Sequence, residues 1–283
     1  MTLVESLQKA IDYMETHLLE RITIEAISKQ AHVSSFHFQR LFMILTETSV
    51  GEYLRRRRLT LAAQELSNSD DKIIDIAYKY GYDTPEAFSK AFRKQHGVSP
   101  TEARKGIGKL NAYNRLTIQV NLKGAEPMNY QIVEKEAFHV VGIKKECPCG
   151  KEAMGIAEFW GQVTSDGTIG KLIDLMNSET KGLLGLTDNY DEEKNTIDYW
   201  IAVEHIGNPP ADFNRLDLPK TKWVVFEVHG PAPTAMPEVW KQIYSEWIPS
   251  NGYEIADVPA IEAYTDPDPY STESSNQIWL AVK

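Results

Sequence analysis

A repeat constrains this chain more than any other feature. Displacing the first hundred residues by fifty positions lays Ser34-x-Phe36-x-Phe38-Gln39-Arg40-Leu41-Phe42 on Thr84-x-Glu86-x-Phe88-Ser89-Lys90-Ala91-Phe92. Each copy opens on a hydroxyl residue suited to a helix N-cap and follows a short apolar helix and a turn, the pattern of a helix-turn-helix unit. At about 100° per residue, Phe38, Leu41, Phe42 and Leu45 share one face, while Phe36, Gln39, Arg40 and Met43 project from the other. The second copy buries Phe88, Ala91 and Phe92 and turns Glu86, Ser89, Lys90 and Arg93 outward. Arg and Lys suit guanine acceptors, Gln suits adenine and Glu the cytosine amino group, so the two outward faces form a candidate double-stranded DNA reader.

Flanking signals agree. Thr23 is placed to cap a supporting helix over Ile22 to Ala31, and Ile73 to Tyr80, ending at Gly81, is its counterpart. Pro85 falls at the first helical position, where its missing N–H costs nothing, and Gly97 closes the second recognition helix. Ser49 to Leu66 contains no breaker and predicts a long linking helix. On it lies Arg55-Arg56-Arg57-Arg58, the strongest basic run; four consecutive helical residues diverge, so Arg56 and Arg57 are candidate phosphate contacts while others pair with Glu52, Glu65 or the apolar face they cover.

Residues 1–108 resemble the DNA-binding domain of AraC/XylS-type transcription regulators. The resemblance rests on Ser34 to Phe42, Tyr53-Leu54-Arg55 to Arg58-Leu59, and the run from Asp75-Ile76-Ala77 through Gly81-Tyr82 and Phe88 to Lys94 to Gly97-Val98-Ser99-Pro100. It implies an all-α domain of two helix-turn-helix units joined by a long helix. It also places Phe36, Gln39 and Arg40, then Glu86, Ser89 and Lys90, against DNA.

The chain of 283 residues is long enough for two domains, and its charge is uneven. Residues 1–110 hold 16 Lys and Arg against 14 Asp and Glu, and the remainder 14 against 26, within a net charge of −10. The acidic half is repelled by phosphate, so DNA contact belongs to the N-terminal half. No apolar stretch is long enough to span a bilayer, and Glu5, Asp12 and Glu15 are unlike a secretory leader, so a cytoplasmic protein without membrane contact is expected. Cys147 and Cys149 are too close for easy disulfide geometry and too few for a zinc site.

The pattern changes near Gly106-Ile107-Gly108, and residues 109–127 form a linker that includes an alternating stretch, Leu116 to Leu122, with strand character. Strands are predicted at Tyr130–Val133, His139–Lys144, Gly182–Leu186, Tyr199–Glu204, Trp223–His229, Ala260–Tyr264 and Gln277–Val282. Helical stripes fall at Ile156, Phe159, Trp160 and Val163, at Ile169, Leu172, Ile173 and Met176, and at Val239, Trp240, Ile243, Tyr244 and Trp247. Together they predict an α+β domain with helices on one side of an antiparallel sheet. No motif for a catalytic nucleophile, a phosphate loop, a metal or a cofactor is present. Glu262 and Tyr264 share one face of a strand, and a carboxylate among aromatics favours a cationic, partly apolar guest.

Residues 128–283 resemble the GyrI-like effector-binding domain, also found in multidrug-sensing regulators, through Trp223 to Pro231, Trp240 to Pro249, Gly252-Tyr253-Glu254, Pro259 to Tyr264 and Ile278 to Lys283. The resemblance implies duplicated strand-helix-strand units around a central groove with Glu262 as the pocket carboxylate. Trp160, Tyr199, Tyr264 and Trp279 are the supporting candidates. The expected protein is a bacterial DNA-binding transcription regulator that answers to a small lipophilic or cationic effector and has RNA polymerase as partner; it is not an enzyme. Two alternatives remain at this point: a DNA-tethered hydrolase using Glu262, and a C-terminal half that is a protein-interaction module.

Overall fold

A computed structural model of the chain describes residues 3–118, 127–148, 154–178, 180–191, 194 and 196–283. It divides into two compact units: Met1–Ser35 with Thr48–Asn121, and Phe36–Glu47 with Leu122–Lys283. The first recognition helix therefore groups with the C-terminal half of the chain. Among the described residues no helix is long and apolar enough to cross a membrane.

The helices run α1 (Leu3–Thr16), α2 (Ile24–Ala31), α3 (Ser35–Thr46), α4 (Val50–Asn68), α5 (Ile73–Lys79), α6 (Pro85–His96) and α7 (Pro100–Arg104). Hydroxyl caps set their starts: Thr23, Ser49, Thr84 and Ser99 each accept from the backbone N–H three residues on, and Ser99 forms a full capping box with Glu102. Gly97 ends α6 at φ +77°, whereas α2 ends on His32 at φ +57° in place of a glycine. Phe88 and Phe92 from α6 meet Leu59, Ala62, Ala63 and Leu66 from α4 and Ile76 and Ala77 from α5 in one core, each buried ring contributing about 1.5–3 kcal/mol.

The four arginines of α4 are all engaged within the chain. Arg55 and Arg56 both bind Glu52, Arg57 makes two 2.8 Å hydrogen bonds to Glu15 of α1, and Arg58 donates to the carbonyls of Leu18 and Glu20. Arg56 and Arg57, the expected phosphate contacts, are thus paired with carboxylates of the chain itself, Glu52 and Glu15. The stretch Leu116 to Leu122 lies partly outside the described residues. Its described part, 116–118, forms no strand, and Leu116 N–H donates to the Tyr53 hydroxyl.

The C-terminal half contains β1 (Tyr130–Lys135), β2 (Phe138–Pro148), α8 (Met154–Ser165), α9 (Thr168–Asp174), β3 (Leu183–Asp191), β4 (Thr196–Glu204), β5 (Asn214–Leu218), β6 (Thr221–His229), α10 (Ala232–Gln242), a π-helical turn Ile243–Trp247, α11 (Ile248–Asn251), β7 (Ile261–Tyr264) and β8 (Ser275–Val282). One antiparallel sheet has the order β1-β6-β8-β7-β3-β4-β2-β5. The order is symmetric: β2-helix-β3-β4 and β6-helix-β7-β8 are two copies of one unit, joined where β3 pairs with β7. Strand β5 was not predicted; it is an edge strand, paired with β2 alone. Cys147 is buried on β2, where burial pushes its thiol pKa up, and Cys149 lies outside the described residues.

Burial alone would raise the Glu15 carboxyl, but hydrogen bonds from Arg57 and Tyr53 and the charges of Arg57 and Arg115 hold its pKa below the usual value. A depressed carboxylate stabilises the fold above its unfolded pKa, and this contribution is lost as pH falls through its folded one. Arg57→Ala is expected to cost about 3–5 kcal/mol in denaturant unfolding, because it strands Glu15, while leaving the salt slope of DNA binding unchanged. Glu15→Gln should flatten the acid limb of the stability–pH curve.

Candidate functional site

Cross-strand partners share a sheet face, so Leu183, Gly185 and Thr187 of β3, Tyr199 and Ile201 of β4, and Glu262 and Tyr264 of β7 point to one side. Phe159 and Val163 of α8 and Leu172 of α9 cover part of that side. The opposite side is a separate core of Leu184, Leu186, Trp200, Trp223, Ile261 and Ala263. Two helices reach the β3–β7 junction from the flanks. Trp160 of α8 donates its indole N–H to the Tyr199 hydroxyl at 3.1 Å and meets the Tyr264 ring edge-on at 5.0 Å. Trp240 of α10 donates to Glu262 Oε1 at 2.8 Å and stacks on Tyr244.

Glu262 lies at the centre of this cluster. Its Oε2 accepts from the Tyr264 hydroxyl at 3.0 Å, and its Oε1 accepts from Arg40 Nη2 at 3.2 Å as well as from Trp240. Arg40 also donates from Nη1 to Thr187 Oγ1 at 2.8 Å, and its guanidinium carbon lies 3.9 Å from the centre of the Trp240 ring. The ion pair is largely withdrawn from water, with the side chains 15% and 19% exposed. One carboxylate, one indole face and one hydroxyl thus hold a planar organic cation.

Burial and the charge of Glu262 push the Tyr199 and Tyr264 phenols well above their usual range, so both stay protonated hydrogen-bond donors at physiological pH. Gly185 makes the space they need: a Cβ there would stand 2.4 Å from the Tyr199 hydroxyl. The π-helical turn begins at Ile243 and sets Tyr244 and Trp247 inward. The buried Tyr244 hydroxyl has no hydrogen-bond partner among the described residues.

The structure thus gathers four of the five residues proposed from the sequence: Glu262, Trp160, Tyr199 and Tyr264. It does not bring in Trp279. This residue pairs with Ile261, one position from Glu262, so the two-residue strand period turns it to the opposite face, where it packs against Trp223. Sequence reasoning missed Trp240, Tyr244, Thr187 and Gly185. Trp240 and Tyr244 carry a signal, their four-residue spacing on one helix stripe, but that spacing also describes a core helix.

The DNA candidates separate. On α6, Glu86, Lys90 and Arg93 are exposed and Ser89 is half-buried. On α3 the expected outward projection of Phe36, Gln39, Arg40 and Met43 is corrected: none of these four is exposed, and Arg40 is taken up by Glu262. His37, next to them, is buried and donates from Nε2 to the Ala256 carbonyl at 2.9 Å; burial pushes its imidazole pKa down. This docking leaves Gln39 Nε2 and Arg40 Nε buried without hydrogen-bond partners among the described residues, at about 1–3 kcal/mol each.

Paired helix-turn-helix helices followed by a duplicated α+β domain with a carboxylate-floored aromatic site define a DNA-binding transcription regulator with an effector domain. Residues 128–283 match the GyrI-like small molecule binding domain and residues 27–106 a helix-turn-helix domain; the chain belongs to the GyrI-like family, with an AraC-type DNA-binding region. It is 26% identical over 273 residues, 89% of this chain and 92% of the relative, to an uncharacterized HTH-type transcriptional regulator, YbfP, of Bacillus subtilis. Over 98 residues, 35% of this chain and 92% of the relative, it is 35% identical to the regulatory protein SoxS of Salmonella typhimurium. Among solved structures, SAV2435 bound to tetraphenylphosphonium is 28% identical with a TM-score of 0.49, covering 55% of this chain and 94% of that one. The DNA-binding domain of AdpA in complex with a target DNA is also 28% identical, with a TM-score of 0.34, covering 36% of this chain and 92% of that one.

Gly185→Ala should reduce stability by about 1–3 kcal/mol through overpacking against Tyr199 and should shift the emission of the Trp160 environment. An alanine variant with wild-type stability and spectrum would show that the site tolerates a methyl group there.

Proposed function

We propose that residues 1–108 bind double-stranded DNA and that residues 128–283 bind a small lipophilic organic cation at Glu262, in a cytoplasmic regulator that acts on RNA polymerase at promoters. The observation that carries the effector class is the Arg40 guanidinium itself, held by charge pairing with Glu262, by the Trp240 face and by Thr187. A site that accommodates one delocalised cation in this way has the charge and aromatic surface to select another. Trp160, Tyr199, Tyr264, Trp240 and Tyr244 supply the apolar wall.

On the DNA side, Glu86, Ser89, Lys90 and Arg93 of α6 form the face offered to base edges and phosphates. Phe36, Gln39, Arg40 and Met43 of α3 form the second face whenever that helix is free. Arg56 and Arg57 serve the fold through Glu52 and Glu15. A regulator fits the site better than a hydrolase does. Both Glu262 oxygens accept hydrogen bonds and one of them is ion-paired, so neither is left open to a water to be activated.

Titration of the full chain with tetraphenylphosphonium should quench tryptophan fluorescence saturably, and Glu262→Gln should weaken the apparent affinity about tenfold or more. Equal affinity in the variant would remove Glu262 from the site. Release of product from activated esters that disappears in Glu262→Gln would instead favour the hydrolase. For DNA, Lys90→Ala and Arg93→Ala should each weaken retention of genomic duplexes, and the salt slope should fall by about one for each phosphate left without its basic partner.

A further inference from the structure

We infer that the first recognition helix is the resident ligand of the effector site: Arg40 occupies the place of the cation, and effector and helix exclude each other there. This rests on the reading of Glu262 as the effector carboxylate and adds what regulates that site.

Four observations converge. Arg40 makes every contact expected of a bound organic cation, namely the carboxylate at 3.2 Å, the indole face at 3.9 Å and a hydroxyl at 2.8 Å. The segment that carries it, Phe36–Glu47, groups with the C-terminal half and not with the helices beside it in sequence. None of the residues of α3 is exposed, and His37 adds a second attachment through the Ala256 carbonyl. The attachment is also imperfect, because Gln39 Nε2, Arg40 Nε and the Tyr244 hydroxyl are buried there without hydrogen-bond partners among the described residues. A helix held by a strong ion pair but poorly satisfied around it is one that a better-fitting cation can replace.

Arg40 cannot hold Glu262 and read DNA at once. A cation that takes Glu262 therefore frees the helix, and DNA that takes the helix opens the site, so the two ligands assist each other by the same factor. The docked helix lowers the apparent affinity for the cation by the fraction of molecules in which the site is open.

The test is hydrogen exchange of residues 36–47 in the full chain, with and without tetraphenylphosphonium, alongside fluorescence titration of wild type, Thr187→Val, Arg40→Ala and Glu262→Gln. Faster exchange in 36–47 at saturating cation is expected. Without any cation, Thr187→Val and Glu262→Gln should also speed exchange there, because each removes a hold on Arg40. Arg40→Ala should bind the cation about tenfold more tightly. If the cation binds saturably while exchange in 36–47 stays the same, the helix is not its competitor and the inference fails, though the effector reading stands. If no variant binds the cation but Glu262→Gln and Thr187→Val still loosen 36–47, helix docking stands and the cationic effector reading fails. Unchanged exchange in every variant overturns the inference outright.

Discussion

The ion pair between Arg40 and Glu262 is the contact around which the C-terminal site is arranged. Taking a guanidinium and a carboxylate out of water costs several kcal/mol per ion unless the remaining donors and acceptors are met. Most of the neighbouring side chains meet that demand. Trp240 donates to the same carboxylate oxygen and lends its ring face to the cation, Tyr264 satisfies the second oxygen, and Thr187 accepts from the guanidinium. The duplicated topology explains why these groups converge. The inner strands of the two copies, β3 and β7, pair at the middle of the sheet, so the helices of both copies deliver an indole to the same junction from opposite flanks.

The two recognition helices share a register in the repeat but differ in what their outer faces can tolerate. Glu86, Ser89, Lys90 and Arg93 on α6 are four polar side chains, and burying them together would require several new partners. The matching positions on α3 are Phe36, Gln39, Arg40 and Met43, two of them apolar, so this face loses less on leaving water and offers one charge that a single carboxylate can meet. The difference was present in the amino-acid sequence. It reads as a minor variation of a DNA-facing surface until Glu262, 222 residues further along, is seen to be the partner.

Local order was legible almost throughout. Thr23, Ser49, Thr84 and Ser99 act through hydrogen bonds three residues long, and strands such as β4 and β6 are short runs rich in apolar residues, so short windows contain the needed information. Strand β5 escaped because Asn-Arg-Leu-Asp-Leu carries only two apolar residues, as expected for an edge strand with one partner. Trp279 was misplaced for a different reason. Which face a residue takes depends on cross-strand register, and Ile261 rather than Glu262 stands opposite it. The basic run shows a third kind of gap. Charge alone suggested phosphate, whereas the carboxylate that claims Arg57 lies on α1, 42 residues away, and only the tertiary packing brings it there.

A small molecule can change transcription only by preferring one of two arrangements of the protein, and tight binding to both would change nothing. The proposed exchange at Glu262 would supply such a preference without any relay through the fold. The carboxylate already pairs with one cation, Arg40, which belongs to a helix whose sequence matches a DNA-reading element. Selectivity follows from the same competition. In the proposed exchange a ligand must outbid a guanidinium that is tethered, stacked and hydrogen-bonded, so a small hydrated cation would gain too little, while a large apolar one could add contacts with neighbouring aromatic side chains. In that exchange the internal arginine would set both the threshold for a response and the kind of molecule able to cross it.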